Sequence, residues 1–417
     1  MKGIVTLAWR NIGRNRRRTL LTTIAIAIAV MFVVFVQGYM KGILDNFVQN
    51  LIRNDTGHIK LAAKEFLRLE RTLPKEHLIF DSVSIEEKIL QMPEIQSKTE
   101  RIRFHLVLSH RDRNEPCLGI GINPSGEKDF LGLDKHIIEG SYLRDSSSEM
   151  ILGYRLANKL GVSPGDELLA VTTDINYSTY ALTFKVAGLI RTGLATLDKH
   201  FFYIPLDKAQ VLLDCKGAVH EILILLKNPD EAPKVAASIQ EMLRDEGRGE
   251  TIAAVPWQQH FMVRFYMPYA NSFIFVLMLI ILFIAALVIL NTMLMAVLER
   301  THEIGIIKSL GMRDRTISMM IFLESLFIGL IGSAVGGFLG SALTLYTQKF
   351  GLDLSQFMDK FETPVPIVSS MIHPQFSMRI LALSVIFALA TALLSSLYPS
   401  IKASRMMPVE ALRSSLK

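Results

Sequence analysis

Apolar residues along this chain are clumped rather than spread. Four stretches, 19–40, 265–298, 325–348 and 380–401, contain no Asp, Glu, Lys or Arg. Each is long enough to cross a bilayer, which takes about 20 predominantly apolar residues. They predict four membrane spans, at 20–42, 265–298, 316–348 and 378–401. Between the first and second spans the pattern changes. Short runs at 57–61, 104–109, 118–122, 168–172, 180–190 and 221–226 predict strands. Helical periodicity predicts helices at 85–92, after a Ser84 cap, and at 229–246, closed by Gly247. The expected architecture is an α-helical membrane protein with four transmembrane helices. A large α+β extracytoplasmic domain, 43–264, is inserted between helices 1 and 2.

Charge sets the expected orientation. Residues 1–19, 299–315 and 402–417 hold six, four and four Lys plus Arg, whereas the loop 349–377 holds only Lys349 and Lys360. Basic residues flanking spans mark the cytoplasmic side. The N-terminal helix within 1–19, the segment 299–315 and the tail 402–417 are therefore expected in the cytoplasm. The formal charge of +6 follows this distribution, and no module with groove-reading or base-stacking geometry accompanies it, so nucleic acid is not an expected partner. The apolar run after the basic start continues to Tyr39, beyond a signal-peptide core of about 7–15 residues, and is read as a retained span. Both cysteines of the chain, Cys117 and Cys215, fall in the extracytoplasmic domain. That compartment permits a disulfide, but two buried free thiols are the expected state.

The chain carries no recognisable catalytic motif. Its nearest approach to a phosphate-binding loop is Gly121-Ile-Asn-Pro-Ser-Gly126-Glu127, where Glu127 stands in place of the required Lys. A carboxylate there repels phosphate, so the string is expected to be an ordinary turn. Pro124 occupies the third glycine position of a dinucleotide fingerprint. His302-Glu303 is followed by Ile306 where a zinc protease needs its second His. His105 and His110 are expected on the surface, and no nucleophile elbow is present. No cofactor or metal is expected on this chain, and no enzymatic activity of its own.

Three other features carry information. In 299–315, Ile304, Ile307 and Leu310 recur at helical spacing, with Gly311 as a C-cap. This segment is either a connector at the membrane surface or a helix that docks into a cytoplasmic partner. In the third span, Gly332, Gly336 and Gly340 share one helical face and predict close packing against another span. Glu324, in the same span, has Arg315 or a base of the N-terminal helix within reach. At the outer ends of the first two spans, Tyr39, Ile43, Phe47, Val48 and Leu51 recur along one helical stripe. Phe261, Met262, Phe265, Tyr266 and Met267 face them in topology. These residues either pack under the extracytoplasmic domain or form a greasy cavity for acyl chains, to which Met side chains are well suited.

Glu299-Arg-Thr-His-Glu303-Ile-Gly305-Ile-Ile-Lys308-Ser-Leu-Gly311, after a long span, resembles the signature of FtsX/MacB-type ABC transporter permeases. Leu7-Ala8-Trp9-Arg10-Asn11-Ile12 and Tyr398-Pro399 through Pro408-Val409-Glu410-Ala411-Leu412-Arg413 resemble that family's start and tail. The resemblance covers both termini and the order of all four spans. Gly57-His58-Ile59 and the stretch from Ile151 to Glu167, with Leu156-Ala157, Leu160-Gly161-Val162 and Gly165-Asp166, resemble its lipoprotein-releasing, LolC/LolE-like branch. The loop Thr363-Pro364-Val365-Pro366-Ile367 departs from the pattern of that branch.

The resemblance implies a bacterial inner-membrane permease subunit working by mechanotransmission. Glu299, Arg300, Glu303, Ile304, Gly305, Ile307, Lys308, Leu310 and Gly311 form the coupling helix, seated on separate cytoplasmic ABC ATPase subunits that hold ATP–Mg. A second permease, identical or paralogous, completes the pathway within the membrane lipids. The implied cargo is a lipoprotein, with a periplasmic chaperone as a further partner. Other branches of the family imply efflux of drugs, peptides or toxins, or signalling to a periplasmic hydrolase.

Overall fold

The computed structural model describes residues 2–14, 16–192, 195–353 and 371–407. The loop 363–367 and the tail motif 408–413 lie outside the described residues. The chain divides into two compact units.

The outer unit, Asp45–Met267, is built on β-structure. Its strands in chain order are β1 (Ile59–Ala63), β2 (Ile79–Phe80), β3 (Ile95–His110), β4 (Arg113–Ile122), β5 (Ile137–Gly140) and β6 (Glu149–Gly153). They continue with β7 (Glu167–Thr173), β8 (Thr179–Ile190), β9 (Phe201–Pro205), β10 (Ala218–Val219), β11 (Glu221–Leu226) and β12 (Ile252–Pro256). The main sheet runs β12-β1-β11-β3-β4-β9-β6-β8-β5, and β7 pairs with both β3 and β8. The β4–β9 and β6–β8 pairs are parallel, and the other pairs are antiparallel. The helix Ala232–Asp245 turns Ala232, Val235, Ala236, Ile239 and Leu243 inward at helical spacing. They join one core with Ile59, Leu61, Phe104, Phe184, Phe202, Ile222 and Ile224. Cys117 and Cys215 are both buried and free.

Two local expectations are corrected. The helix expected at 85–92 is Ser82–Ile89, with Asp81 rather than Ser84 at its N-cap position. Ser82, Ile85, Glu86 and Ile89 form its buried stripe, and this sets the start one turn earlier. The turn expected around Glu127 is a helix, Pro124–Leu131. The Asn123 side chain accepts the Gly126 N–H at 3.1 Å and Pro124 opens the first turn, which together start a helix.

The membrane unit comprises the chain up to Leu44, Pro268–Asp353, and the part from Met371 onward. Among the described residues, four helices are long and apolar enough to span: Arg16–Leu51, Phe261–Glu299, Asp314–Phe350 and Met378–Arg405. The first two extend beyond the span ends expected at 42 and 265. Ile26, Val30, Val34, Ile289, Met293, Ile328, Ala388 and Ala392, drawn from all four, form the central cluster. A Cβ on Gly336 would strike the backbone of Ala27, and one on Gly332 would lie 2.8 Å from Ile26, so the glycine face packs on the first span. The N-terminal helix Lys2–Arg14 sets Trp9 edge-on against Phe327 of the third span, with ring centroids 5.4 Å apart.

Candidate functional site

Segment 299–315 folds as a short helix, Thr301–Ser309. Leu310 caps it and Gly311, at φ +92°, takes the left-handed conformation. The Gly311 N–H bonds to Lys308 O at 2.9 Å and the Met312 N–H to Ile307 O at 3.2 Å. This is a Schellman closure, which favours Gly at that position.

The residues grouped there by sequence do different things. Ile304 is buried among Val297, Ile317, Ile321 and Ala403, and Gly305 is buried too. Ile307 is half-buried, whereas Leu310 is 81% exposed. The expected single stripe is therefore split, because the helix ends before Leu310. Arg300 reaches Glu324 at 3.4 Å and donates to Asn11 O at 3.2 Å. Glu303 pairs with Arg14, and Glu299 pairs with Arg18 at 3.0 Å. Lys308 donates to Ser404 O at 2.6 Å and Met406 O at 2.9 Å, and pairs with Asp314 at 2.9 Å. Glu324 is partnered by Arg18, at 3.7 Å, and Arg300, not by Arg315. A cavity of about 170 Å³ lies beside this clamp, lined by Leu7, Asn11, Met293, Ile304, Ile307 and Met320 among others. The helix is thus pinned along its inner side and presents Ile306 and Leu310 outward.

The greasy residues also separate. Phe47, Val48 and Leu51 are closed up with Ile52 and Val263, against Leu225, Trp257, Met262 and Met267. They pack together as one buried cluster. Phe261, Phe265 and Tyr266 remain exposed; Phe261 stacks on Phe265, with ring centroids 5.6 Å apart, and Tyr266 meets Phe265 edge-on at 5.5 Å. Phe261 and Phe265 line a cleft of about 450 Å³ with Leu67, Glu70, His260 and Arg264. Tyr39 and Ile43 are half-buried and belong to the membrane unit.

Residues 19–242 match the MacB-like periplasmic core domain family model, and residues 275–408 match the FtsX-like permease C-terminal model. The first of these alone covers more than half of the chain. The chain belongs to the FtsX/MacB-type ABC transporter permeases. It is a permease component, and the family implies partner ATPase subunits. The permease is 24% identical over 309 residues to the lipoprotein-releasing system transmembrane protein LolC of Neisseria meningitidis, covering 70% of this chain and 72% of the relative. It is 21% identical over 348 residues to the LolE protein of Haemophilus influenzae, covering 79% and 80%. The periplasmic region of MacB from Actinobacillus actinomycetemcomitans is a similar solved structure, at 14% identity and TM-score 0.37, covering 51% of this chain and 94% of that one.

Two of the motifs singled out in the sequence have structural roles in the permease. His58 Nδ1 accepts the Leu226 N–H at 2.9 Å, tying the start of β1 to the end of β11. Gly161, at φ +70°, ends the helix Tyr154–Leu160. The sequence reading missed the permease's buried charges. Arg101 and Glu127, both buried, form an ion pair, and Thr99 Oγ1 donates to Glu127 Oε2 at 2.7 Å. Asp55, Lys60, Glu70, Arg103 and Glu221 form a second network. Burial opposes charge on Glu70, but the Lys60 ammonium overrides it and holds the carboxyl at about 2. Burial likewise opposes charge on Asp55, and Lys60 and Arg103 hold it far below the usual carboxylate range. The available signal was the alternation Thr99, Arg101, Arg103 on one strand, which is indistinguishable in sequence from a solvated strand face.

Proposed function

We propose that this permease couples ATP hydrolysis on a separate cytoplasmic subunit to extraction of lipoproteins from the outer leaflet of the inner membrane. In this reading both termini and segment 299–315 face the cytoplasm. Ile306 and Leu310 insert into the ATPase, which holds ATP–Mg. A second permease, identical or paralogous, completes the pathway. Cargo acyl chains lie against Phe261, Phe265 and Tyr266, and a periplasmic chaperone receives the released protein. Movement of the segment passes outward along the helices Phe261–Glu299 and Arg16–Leu51 by mechanotransmission.

The observation that carries the coupling role is the exposed apolar tip on a helix whose inner side is pinned by Arg300, Ile304 and Lys308. A fixed lever with an unpaired leucine at its end suits transmission of force from a partner, and burying that side chain there contributes about 1.5–3 kcal/mol. The lipoprotein cargo is supported by the names of the LolC and LolE relatives and by the aromatic cleft.

The test is a mild-detergent pull-down of the tagged full chain, followed by ATP-dependent release of acylated lipoprotein from proteoliposomes. Leu310→Asp is expected to weaken ATPase capture at least tenfold with membrane insertion unchanged. Glu303→Lys, which turns the Arg14 pair into a repulsion, is expected to uncouple hydrolysis from release. Phe265→Asp is expected to retain the ATPase and lose lipoprotein release. Undiminished ATPase capture by Leu310→Asp overturns the docking role. Export of a soluble peptide or macrolide without lipoprotein release overturns the cargo in favour of efflux.

A further inference from the structure

The buried network of the outer unit has unused ligand atoms. Lys60 Nζ reaches Glu221 Oε2 at 3.1 Å and Asp55 Oδ1 at 3.6 Å, and also pairs with Glu70 Oε1. Arg103 Nε reaches Glu221 Oε1 at 2.7 Å, and its Nη1 pairs with Asp55 Oδ1. Both oxygens of Glu221 are thereby engaged, but only one each of Asp55 and Glu70. The remaining two, Asp55 Oδ2 and Glu70 Oε2, lie 3.6 and 3.4 Å from His260 Nε2. His260 is nine-tenths buried, and neither of its ring nitrogens has a hydrogen-bond partner among the described residues. The three ligand atoms lie within 4.8 Å of one another.

We propose that Asp55, Glu70 and His260 bind a zinc ion. Hydrogen-bonded partners would close to about 2.7–3.2 Å. Separations of 3.4 and 3.6 Å instead approximate the edge of a tetrahedron whose corners stand about 2.0–2.2 Å from a central zinc. One imidazole and two carboxylates are donors zinc accepts readily, whereas magnesium favours six oxygens. Charge points the same way. Three carboxylates, Asp55, Glu70 and Glu221, face two cations, Lys60 and Arg103, in this network, an excess of acceptor oxygen that suits a bound cation. Glu70 and His260 also form part of the wall of the 450 Å³ cleft, which gives the ion an access path and room for a water as fourth ligand.

The position gives the ion a mechanical meaning. Asp55 lies in the π-helical segment Ile52–Thr56 that continues the first-span helix. Glu70 opens the turn Glu70–Thr72, and His260 immediately precedes the helix Phe261–Glu299. Zinc would fasten the segment by which the chain enters the outer unit to the one by which it leaves. This inference does not depend on the identity of the cargo.

The experiment strips the full chain in detergent micelles with a chelator, adds zinc chloride, desalts, counts the metal by plasma mass spectrometry and follows the unfolding midpoint. One zinc per chain and a raised midpoint are expected. Both effects should disappear in His260→Gln and weaken at least tenfold in Glu70→Gln, while His105→Gln, at an exposed strand position, keeps them. Glu70→Gln preserves the test if His260→Gln fails to fold. No retained zinc in the parent chain overturns the proposal, as does equal uptake by both site variants.

Discussion

Where the third span meets the first, the closest approaches are to backbone. Cβ atoms at Gly336 and Gly340 would meet main-chain atoms of Ala27 and Met31. The core of the outer unit is instead filled by large side chains, and Phe104, Phe184 and Phe202 are wholly buried among Leu, Ile and Val. The difference follows from the two solvents. In water, each square ångström of apolar surface buried contributes about 25 cal/mol, so bulk in the core is stabilising. In a bilayer the lipid tails are as apolar as the side chains, and helices gain instead from close backbone fit. The outer unit can therefore tolerate ionic groups inside its core if each is fully partnered, while the membrane unit keeps its ion pairs at one end, around Glu299, Arg300, Glu303 and Glu324.

The strongest way to break this contrast is to unpartner a buried charge. Glu127→Gln leaves Arg101 buried without its counter-ion and is expected to cost about 3–5 kcal/mol. The loss should be confined to the outer unit. The chain's two tryptophans separate the units, with Trp9 in the membrane unit and Trp257 in the outer one. In a Trp9→Phe background, denaturant unfolding followed by Trp257 fluorescence should shift markedly. Trp9 fluorescence in a Trp257→Phe background should not. Equal shifts of both signals would mean that the two units unfold as one.

Acid probes the same core more gently. Burial drives the His220 pKa down to about 4. The ring stacks on Phe66, with centroids 4.9 Å apart, and its Nδ1 accepts the Arg103 N–H at 3.2 Å. An unfolded histidine takes up its proton near pH 6.5, so between pH 6.5 and 4 the unfolded state binds more protons than the native one. Stability from this group is complete above pH 6.5 and falls by roughly 3 kcal/mol on the way down to pH 4. His220→Leu should flatten the dependence of the Trp257 transition over that window. An unchanged slope would assign the acid sensitivity to another group.

These charged and histidine sites are also where sequence reading fails, for a physical reason. Span order is legible because lipid demands long uncharged runs, and such runs occur at 265–298 and 325–348 whatever the tertiary fold. Gly332, Gly336 and Gly340 are legible as one face because helical periodicity is local. The fate of Leu310 is not, since the helix stops at Ser309 and the stripe from Ile304 is cut before it completes. Arg101, Arg103 and Lys60 look like surface residues because their partners, Glu127, Asp55 and Glu221, are distant in sequence and meet them only once the chain is folded. Phe47 and Phe265 read alike in sequence, yet one is packed and the other exposed.

A smaller effect is expected from the opposite substitution in the membrane unit. Gly336→Val places a branched side chain against the Ala27 carbonyl. Separating the first and third spans should cost about 1–3 kcal/mol, the usual range for overpacking. Here Trp9 fluorescence should report the change and Trp257 should not. An unchanged Trp9 transition would show that the two helices accommodate bulk by sliding, and that close fit contributes little to their association.

The smallest change concerns thiol chemistry, and it sharpens the comparison because both cysteines lie in the outer unit. Burial, reinforced by nearby acidic side chains, pushes the Cys117 thiol up to about 12 and the Cys215 thiol up to about 11. The reactive species is the thiolate, so at pH 8 only about one Cys117 in ten thousand is ionised, even before steric exclusion is counted. Neither residue should be alkylated by a maleimide in the folded chain, and both should react after denaturation. The same assay then separates the earlier variants. Glu127→Gln, which loosens the outer core, should raise the labelling rate through more frequent opening. Gly336→Val should leave it at the parental value within error. If Gly336→Val accelerates labelling, disturbance in the membrane helices is reaching the outer core, and the two units share more of their stability than their different packing implies.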